Sequence, residues 1–443
     1  MLLYVMSDHV FSRGSMLLHQ MSHGEGIYLW DVEGNNYIDG SAGPICVNIG
    51  HGVKEVTEAV KSQMDKISYV HSSHFMTDSV KECAKKLSEF APEGLDHVFF
   101  CSGGSEATEA AAKMARQYHL LKGNEKKSKI IARWQSYHGN TLGALSMSGN
   151  IARRRRYVPM LLDFPHIPPA YCYRCWFGKK PDSCDLECAR ALDHQIKATG
   201  PEYVSAFIAE PFVGATLGSL PAAPGYFQLI REICDDHDIL FIADEVMTGV
   251  GRTGKNWGLD HWNTIPDIIA TAKGLAGGYL PLGATIASDM VYDVFNVPFA
   301  HGHTYGSHPI SCAAGAAVLD YVVKHGLVEN SRKLGEYFHA QLQMLYDHPS
   351  VGDVRGKGLF AGIEFVKDKE TKEPFSPELK FNGRIVDQCF ANGLLVYPGT
   401  GTVDGVRGDH IHVAPPLIIN QDEINEIVRL LDKSISEVEQ EVL

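Results

Sequence analysis

The sequence predicts an α/β protein, built around a mostly parallel sheet with helices on both faces. From about residue 78 the chain alternates short apolar runs with helical runs across glycine-rich loops. The apolar runs are continuous, without interleaved polar residues, as expected for strands buried on both faces. A Gly-Gly-Ser loop, a carboxylate pair and a lysine fall at the ends of such runs, where open parallel sheets bind ligands.

Taken in order, residues 24–40, GEGIYLWDVEGNNYIDG, alternate apolar and polar positions around an EGNN turn and read as a β-hairpin outside the main rhythm. HVFFC is then a strand feeding the helix SEATEAAAKMARQYH. KIIARW and VSAFIAE follow as strands, YFQLIREICDDHD as a helix, and ILFIADEV, DIIATAKG and GATIAS as further strands. After about residue 330 the pattern changes to helix, strand (GLFAGIEFV), helix (RIVDQCFANG), strand (HIHVAP) and closing helix (QDEINEIVRLLDKSISEV). The expected organisation is an N-terminal arm and hairpin at 1–75, a large α/β domain at 76–328 and a small α+β domain at 329–443, the chain ends together forming the smaller part.

Composition narrows the function. The chain has 443 residues, 44% hydrophobic and 21% charged, with a formal net charge of −13 from 40 basic and 53 acidic residues. That balance argues against nucleic acid or an anionic membrane as partner. The one basic run, Arg153–Arg156, reads as a solvated helix face or a subunit contact. No apolar run reaches the ~18 residues of a membrane span, and MLLYVM is too short for a signal-peptide core, so a cytoplasmic protein is expected. Six of the ten cysteines (Cys46, Cys83, Cys101, Cys234, Cys312, Cys389) are scattered through apolar or helical contexts and read as reduced, mostly buried thiols.

Three stretches carry chemistry. In CSGGSEATEAAAKMAR two glycines precede a helix opening at Ser105, and free N–H groups with a hydroxyl make a phosphate seat. In ILFIADEVMTGVGRTG, Asp244 and Glu245 end an apolar strand. A buried carboxylate there needs a cationic partner, either a metal or a protonated ring nitrogen. Glu245 has two readings, a catalytic role or a carboxylate bonded to nearby backbone. In PDIIATAKGLAGGYLPLGA, Lys273 is set among small and apolar residues, which lower an amine's pKa and suit it to imine chemistry. Phosphate seat, ring-nitrogen partner and imine lysine are the contacts that pyridoxal 5′-phosphate requires.

From about residue 24 to 435 the sequence resembles the class III (omega) aminotransferases of PLP fold type I, most closely the pyruvate-dependent omega-aminotransferases. The resemblance lies in SGGSEATEAAAKMAR, SYHGNTLGALSMSG, AEPFVG, ADEVMTGVGRTG, AKGLAGGYLPLGA and HGHTYGSHP. It implies that Gly104 and Ser105 bind the cofactor phosphate and that Tyr137 stacks on the ring with His138 beside it. It implies that Asp244 pairs with the ring nitrogen, Val246 packs on the opposite face and Glu210 lies on the hydroxyl side. Lys273 would attach the cofactor and shuttle the proton. Thr304 would reach the phosphate of a neighbouring subunit, in a homodimer or tetramer with shared sites. No catalytic metal is implied.

Ornithine- and 4-aminobutyrate-type members use a glutamate after the E-P dipeptide, paired with an arginine before the C-terminal P-L. Here Ala215 and His412 occupy those positions. The nearest arginine is Arg407, on the loop TVDGVRGDHIHVAPP, which reads as a swinging carboxylate ligand. Ile45, Cys46, Phe75 and Tyr305 read as pocket walls. The implied reaction moves an amino group from a terminal or non-α amine donor to a 2-oxo acid acceptor, pyruvate. A racemase, aminomutase or decarboxylase of the same fold would keep nearly all these residues.

Two motifs stand apart. Cys172, Cys175, Cys184 and Cys188, spaced C-x2-C-x8-C-x3-C, suit a zinc site, a disulfide staple or reduced thiols. GVGRTGKN at 249–256 matches a nucleotide-binding loop up to Asn256, which stands where the magnesium-binding hydroxyl belongs. KNWGLDHW offers neither that hydroxyl nor a helix, so the glycines read as a tight turn and Lys255 as an exposed lysine.

Overall fold

The computed structural model describes His9 and residues 19–443; the MLLYVM segment lies outside them. Seven strands form the central sheet, in spatial order His97–Cys101, Gly283–Ala287, Ile268–Thr271, Leu240–Asp244, Val204–Ala209, Lys129–Arg133 and His166–Ile167. Six run parallel and Gly283–Ala287 alone runs antiparallel, so the mostly parallel sheet is observed. Val204–Ala209, Leu240–Asp244 and Ile268–Thr271 are buried at every residue, as their unbroken apolar character requires.

Helix Gly104–Leu121 covers one face through its Ala-rich stripe of Ala107, Ala110, Ala111, Met114, Ala115 and Tyr118. Small side chains let the helix lie close to the strands. Helix Tyr226–Asp236 packs on the sheet with Phe227 against Phe241.

Two smaller sheets flank this layer. Met21–Glu25, Tyr28–Asp31 and Asn36–Asp39 form antiparallel pairs, and Leu394–Leu395 adds parallel to Asn36–Asp39, so both ends of the chain build one sheet. A second, antiparallel sheet has the order Val351–Gly356, Ala361–Phe365, Asp409–Val413, Tyr397–Thr400. Its two inner strands are the ones expected from sequence. Both outer strands, VGDVRG and YPGT, lacked a strand signature because edge positions tolerate the glycine, charge and proline that inner ones exclude.

The GVGRTG segment sews the central layer to this second sheet. Arg252 is buried and donates to the carbonyls of Leu359 (3.1 Å), Ala414 (3.2 Å) and Pro415. Gly251 and Gly254 adopt φ of +83° and +82°, and a Cβ on Gly254 would fall 2.8 Å from Arg332 Cα. Lys255 is exposed, the segment 249–257 is turns and bends, and the next element is the short 3-10 helix Gly258–Trp262, in place of the α-helix that a nucleotide-binding loop opens. Among the described residues no helix is long and apolar enough to cross a membrane.

Candidate active site

One cavity of about 150 Å³ opens at the carboxyl edge of the central sheet. It is lined by Gly104, Ser105, Tyr137, His138, Gly139, Glu210, Phe212, Asp244, Val246, Met247 and Lys273. Each arrives from the end of a strand: Gly104 and Ser105 after His97–Cys101, Tyr137 and His138 after Lys129–Arg133, and Glu210 after Val204–Ala209. Asp244 ends Leu240–Asp244, and Lys273 follows Ile268–Thr271. Parallel strands turned the same way place all these loops at one edge.

The buried carboxylate is held from two sides. His138 Nδ1–H donates to Asp244 Oδ2 at 2.7 Å, and the Val246 N–H donates to Asp244 Oδ1 at 3.1 Å. His138 receives its own support, its N–H donating to Ser148 Oγ at 2.8 Å. The Nε2 of His138 is buried and has no partner among the described residues. Glu210 is buried too, with the N–H groups of Tyr137 and Gly214 donating to its carboxylate at 2.9 and 3.0 Å; burial raises its pKa. Glu245 points away from this cavity. It accepts from the N–H groups of Gly258 and Leu259, each at 2.8 Å, and from the Thr248 hydroxyl. Burial lifts its pKa to about 7. Of its two readings, the backbone-bonded one matches the structure.

Lys273 stands at the cavity wall with φ of +44°, a left-handed backbone that aims the side chain off the strand axis. Burial lowers its pKa to about 8, while electrostatic coupling to the acidic groups of Cys46, Asp244 and Glu210 opposes the fall. The amine is thereby neutral in a large fraction near pH 8, as a nucleophile and proton acceptor must be.

At the phosphate seat, helix Gly104–Leu121 begins beside the YHG loop. The Asn140 N–H donates to Ser105 Oγ at 3.1 Å, and Thr108 Oγ1 donates to the His138 carbonyl at 2.7 Å, tying helix start to loop. A Cβ on Gly104 would lie 2.9 Å from Val246 Cγ1, and one on Gly139 would overlap Ser105, so glycine is required at both. An amine, a clamped carboxylate and a helix N-terminus facing one small cavity are a donor set that fits pyridoxal 5′-phosphate.

The remaining expected residues are distributed differently. Cys46 lies close enough to Lys273 for the two groups to couple electrostatically, and Ile45 beside it is buried. Phe75, Thr304 and Tyr305 are exposed and do not line the cavity; the Thr304 carbonyl accepts from the Tyr69 hydroxyl at 2.8 Å. Arg407 is exposed as well, and its Nε donates to Asp404 Oδ2 at 2.8 Å. Ala215 stands beside His410, and the His412 ring is fully buried near Lys273. Phe212 and Met247 line the cavity as well, although neither stood out in the sequence, where the neighbouring Glu210 and Asp244 carried the signal.

The cysteine insert forms a separate feature. Cys172, Cys175, Cys184 and Cys188 line one surface cavity of about 460 Å³, and all ten cysteines are free thiols. Among the described residues, no three ligand-type side chains converge tightly enough to hold a metal ion.

Comparison with known proteins agrees with this geometry. The family model described as Aminotransferase class-III matches residues 10–435. An uncharacterized aminotransferase, YodT, of Bacillus subtilis is 40% identical, covering 95% of each chain. A putrescine–pyruvate aminotransferase of Pseudomonas aeruginosa is 36% identical over 95% of this chain and 91% of its own. Among solved structures, the PMP-bound form of an aminotransferase from Vibrio fluvialis superposes with a TM-score of 0.89 at 32% identity, covering 96% of this chain and 94% of that one. With a family match over nearly its whole length, and a lysine, carboxylate and phosphate seat meeting at one sheet edge, the chain belongs to the class-III aminotransferases, PLP-dependent transaminases of fold type I.

Proposed function

We propose that this transaminase carries an amino group from a terminal or non-α amine to a 2-oxo acid, pyruvate, in two successive half-reactions at one site. The observation that carries the reading is the convergence of Lys273, Asp244 and the Gly104–Ser105 helix start on a single cavity.

Pyridoxal 5′-phosphate, when bound, supplies an electron sink for the pair left when the substrate's Cα–H bond breaks. In this reading Gly104, Ser105 and the helix N–H groups hold the phosphate, while Tyr137 and Val246 flank the ring. Asp244, oriented by His138, keeps a proton on the ring nitrogen, and Glu210 lies toward the ring hydroxyl. Lys273 would accept the proton from the substrate's Cα and carry it between that carbon and the cofactor's C4′, a role suited to an amine poised near pH 8.

The acceptor assignment is supported by Ala215 and His412, which replace a glutamate–arginine pair. Burial, together with the nearby charges of His410, Lys273 and Arg355, holds the His412 pKa well below its ordinary value. A neutral imidazole supplies no charge for a second carboxylate such as that of 2-oxoglutarate. The activity for which the Pseudomonas relative is named points the same way. Exposure of Thr304, Phe75 and Tyr305 supports a homodimer, alone or paired into a tetramer, in which Thr304 serves the neighbouring subunit's site and the two aromatics wall it. Ile45 completes that wall, and Arg407 reaches a substrate carboxylate only after leaving Asp404. Ten free thiols suit the cytoplasm.

The test is spectroscopic. A visible band that is absent in Lys273→Ala, and that converts to the pyridoxamine form when an amine is supplied alone, distinguishes transfer from racemisation, aminomutation or decarboxylation. An amine panel with pyruvate and 2-oxoglutarate then identifies donor and acceptor. A protein that shows no band even after addition of PLP refutes the reading.

A further inference from the structure

The run Arg153–Arg156 separates into different environments. Arg154 donates through Nη1 to the carbonyls of Leu145 (3.0 Å), Ser146 (2.8 Å) and Ser148 (2.8 Å) and lies over the Trp134 ring, so it is a structural clamp. Arg155 and Arg156 are exposed. Arg153 differs from all three. It is half-buried, its guanidinium carbon lies 4.4 Å from the centroid of the Tyr137 ring, and among the described residues it pairs with no carboxylate.

Tyr137 is a wall of the Lys273 cavity, so a planar cation that pairs with no carboxylate among the described residues stacks on a residue lining that cavity. Its charge reaches the centre of the site: it opposes both the burial-driven rise of the Tyr137 phenol and protonation of Lys273. Arg407 offers a contrast, because its guanidinium is already engaged by Asp404 and its backbone N–H by the same carboxylate at 2.7 Å. The two arginines belong to touching elements. A Cβ on Gly405 of the Arg407 loop would lie 2.5 Å from Ile151 Cδ1, at the start of the short helix Ile151–Arg154 that carries Arg153.

We propose that Arg153 binds the carboxylate of the 2-oxo acid acceptor, holding it over Tyr137, and is the residue that sets the preference for carboxylate-bearing over neutral acceptors. A rigid fork of N–H donors, oriented by stacking on an aromatic ring, is matched to a carboxylate and costs little further ordering when it binds. The proposal rests on the transaminase reading above.

The test uses holoenzyme and follows the half-reactions separately by absorbance. Conversion by a neutral amine alone reports on the transaminase reading; its failure in the unmodified enzyme overturns that reading and leaves Arg153 a separate question, answered by binding. Return of the visible band with pyruvate, and with propanal as an acceptor lacking the carboxylate, reports on Arg153. In Arg153→Gln the KM for pyruvate is expected to rise about 10- to 100-fold, with a smaller change in kcat and no change for propanal. Arg153→Lys restores part of the loss, and Arg155→Gln, altering an exposed neighbour, has no effect. Independently of turnover, propionate is expected to bind the unmodified holoenzyme by calorimetry and to bind Arg153→Gln at least about tenfold more weakly. Equal losses with pyruvate and propanal, or unchanged pyruvate kinetics together with unchanged propionate binding, overturn the proposal.

Discussion

The Nδ1 of His138 and the Oδ2 of Asp244 lie 2.7 Å apart, both out of solvent, joining the loop after one strand to the end of another two positions away in the sheet. The bond gives the carboxylate one orientation. His138→Phe is therefore expected to weaken PLP binding by about 10- to 100-fold, the worth of a buried hydrogen bond to a charge. Titration of the visible band with PLP measures this, and unchanged affinity would show that Asp244 needs no such support.

The lowered pKa of Lys273 has a signature in the cofactor-free protein. An unfolded lysine titrates near 10.5 and the folded one near 8, so the unfolded chain binds more protons between those values. Stability therefore rises with pH across that window, and protonated Lys273 is a cost below it. Cofactor-free Lys273→Met is expected to exceed the parent in stability by roughly 1–3 kcal/mol below pH 8, the gain vanishing above about pH 10. Denaturant melts at several pH values would reveal or exclude that convergence.

Asp244 and Glu245 are sequence neighbours with opposite duties. Glu245→Ala strands the N–H groups of Gly258 and Leu259, a loss expected to cost about 2–4 kcal/mol while the folded fraction still binds PLP. The folded pKa near 7 lies above the ordinary 4.5, so through this group stability falls as pH rises across that interval. The variant should lose that slope. A variant that folds normally but cannot bind PLP would contradict the division of labour.

Arg252 donates to three carbonyls across the seam between the central sheet and the C-terminal sheet. Arg252→Met leaves them buried without donors and should lower unfolding free energy by about 2–4 kcal/mol. Chemical denaturation would measure the effect, and a loss under about 0.5 kcal/mol would place Arg252 among ordinary surface residues.

Periodicity and apolar run length were enough to find the central sheet, because a strand covered on both faces has no polar residue to blur it. Edge strands carry no such mark, which is why Val351–Gly356 and Tyr397–Thr400 emerged only in three dimensions. The antiparallel direction of Gly283–Ala287 was equally silent, since apolar content does not encode polarity. Lys273, Asp244 and the glycine-rich helix start were legible because their residue types are out of place at the ends of apolar strands. Arg153 was not, standing as one of four consecutive arginines whose types are identical and whose surroundings alone tell them apart. Thr304, Phe75 and Arg407 lie outside the cavity, and nothing within their local sequence indicates which surface each faces.

The contact between Gly405 and Ile151 bears on how this enzyme can be redesigned. The two arginine-bearing segments touch, so residues chosen one at a time for a bulkier or uncharged substrate would be selected against a neighbour still shaped for the old one. Libraries that randomise 151–153 and 403–407 together should yield altered acceptor preference more often than the two single-segment libraries combined.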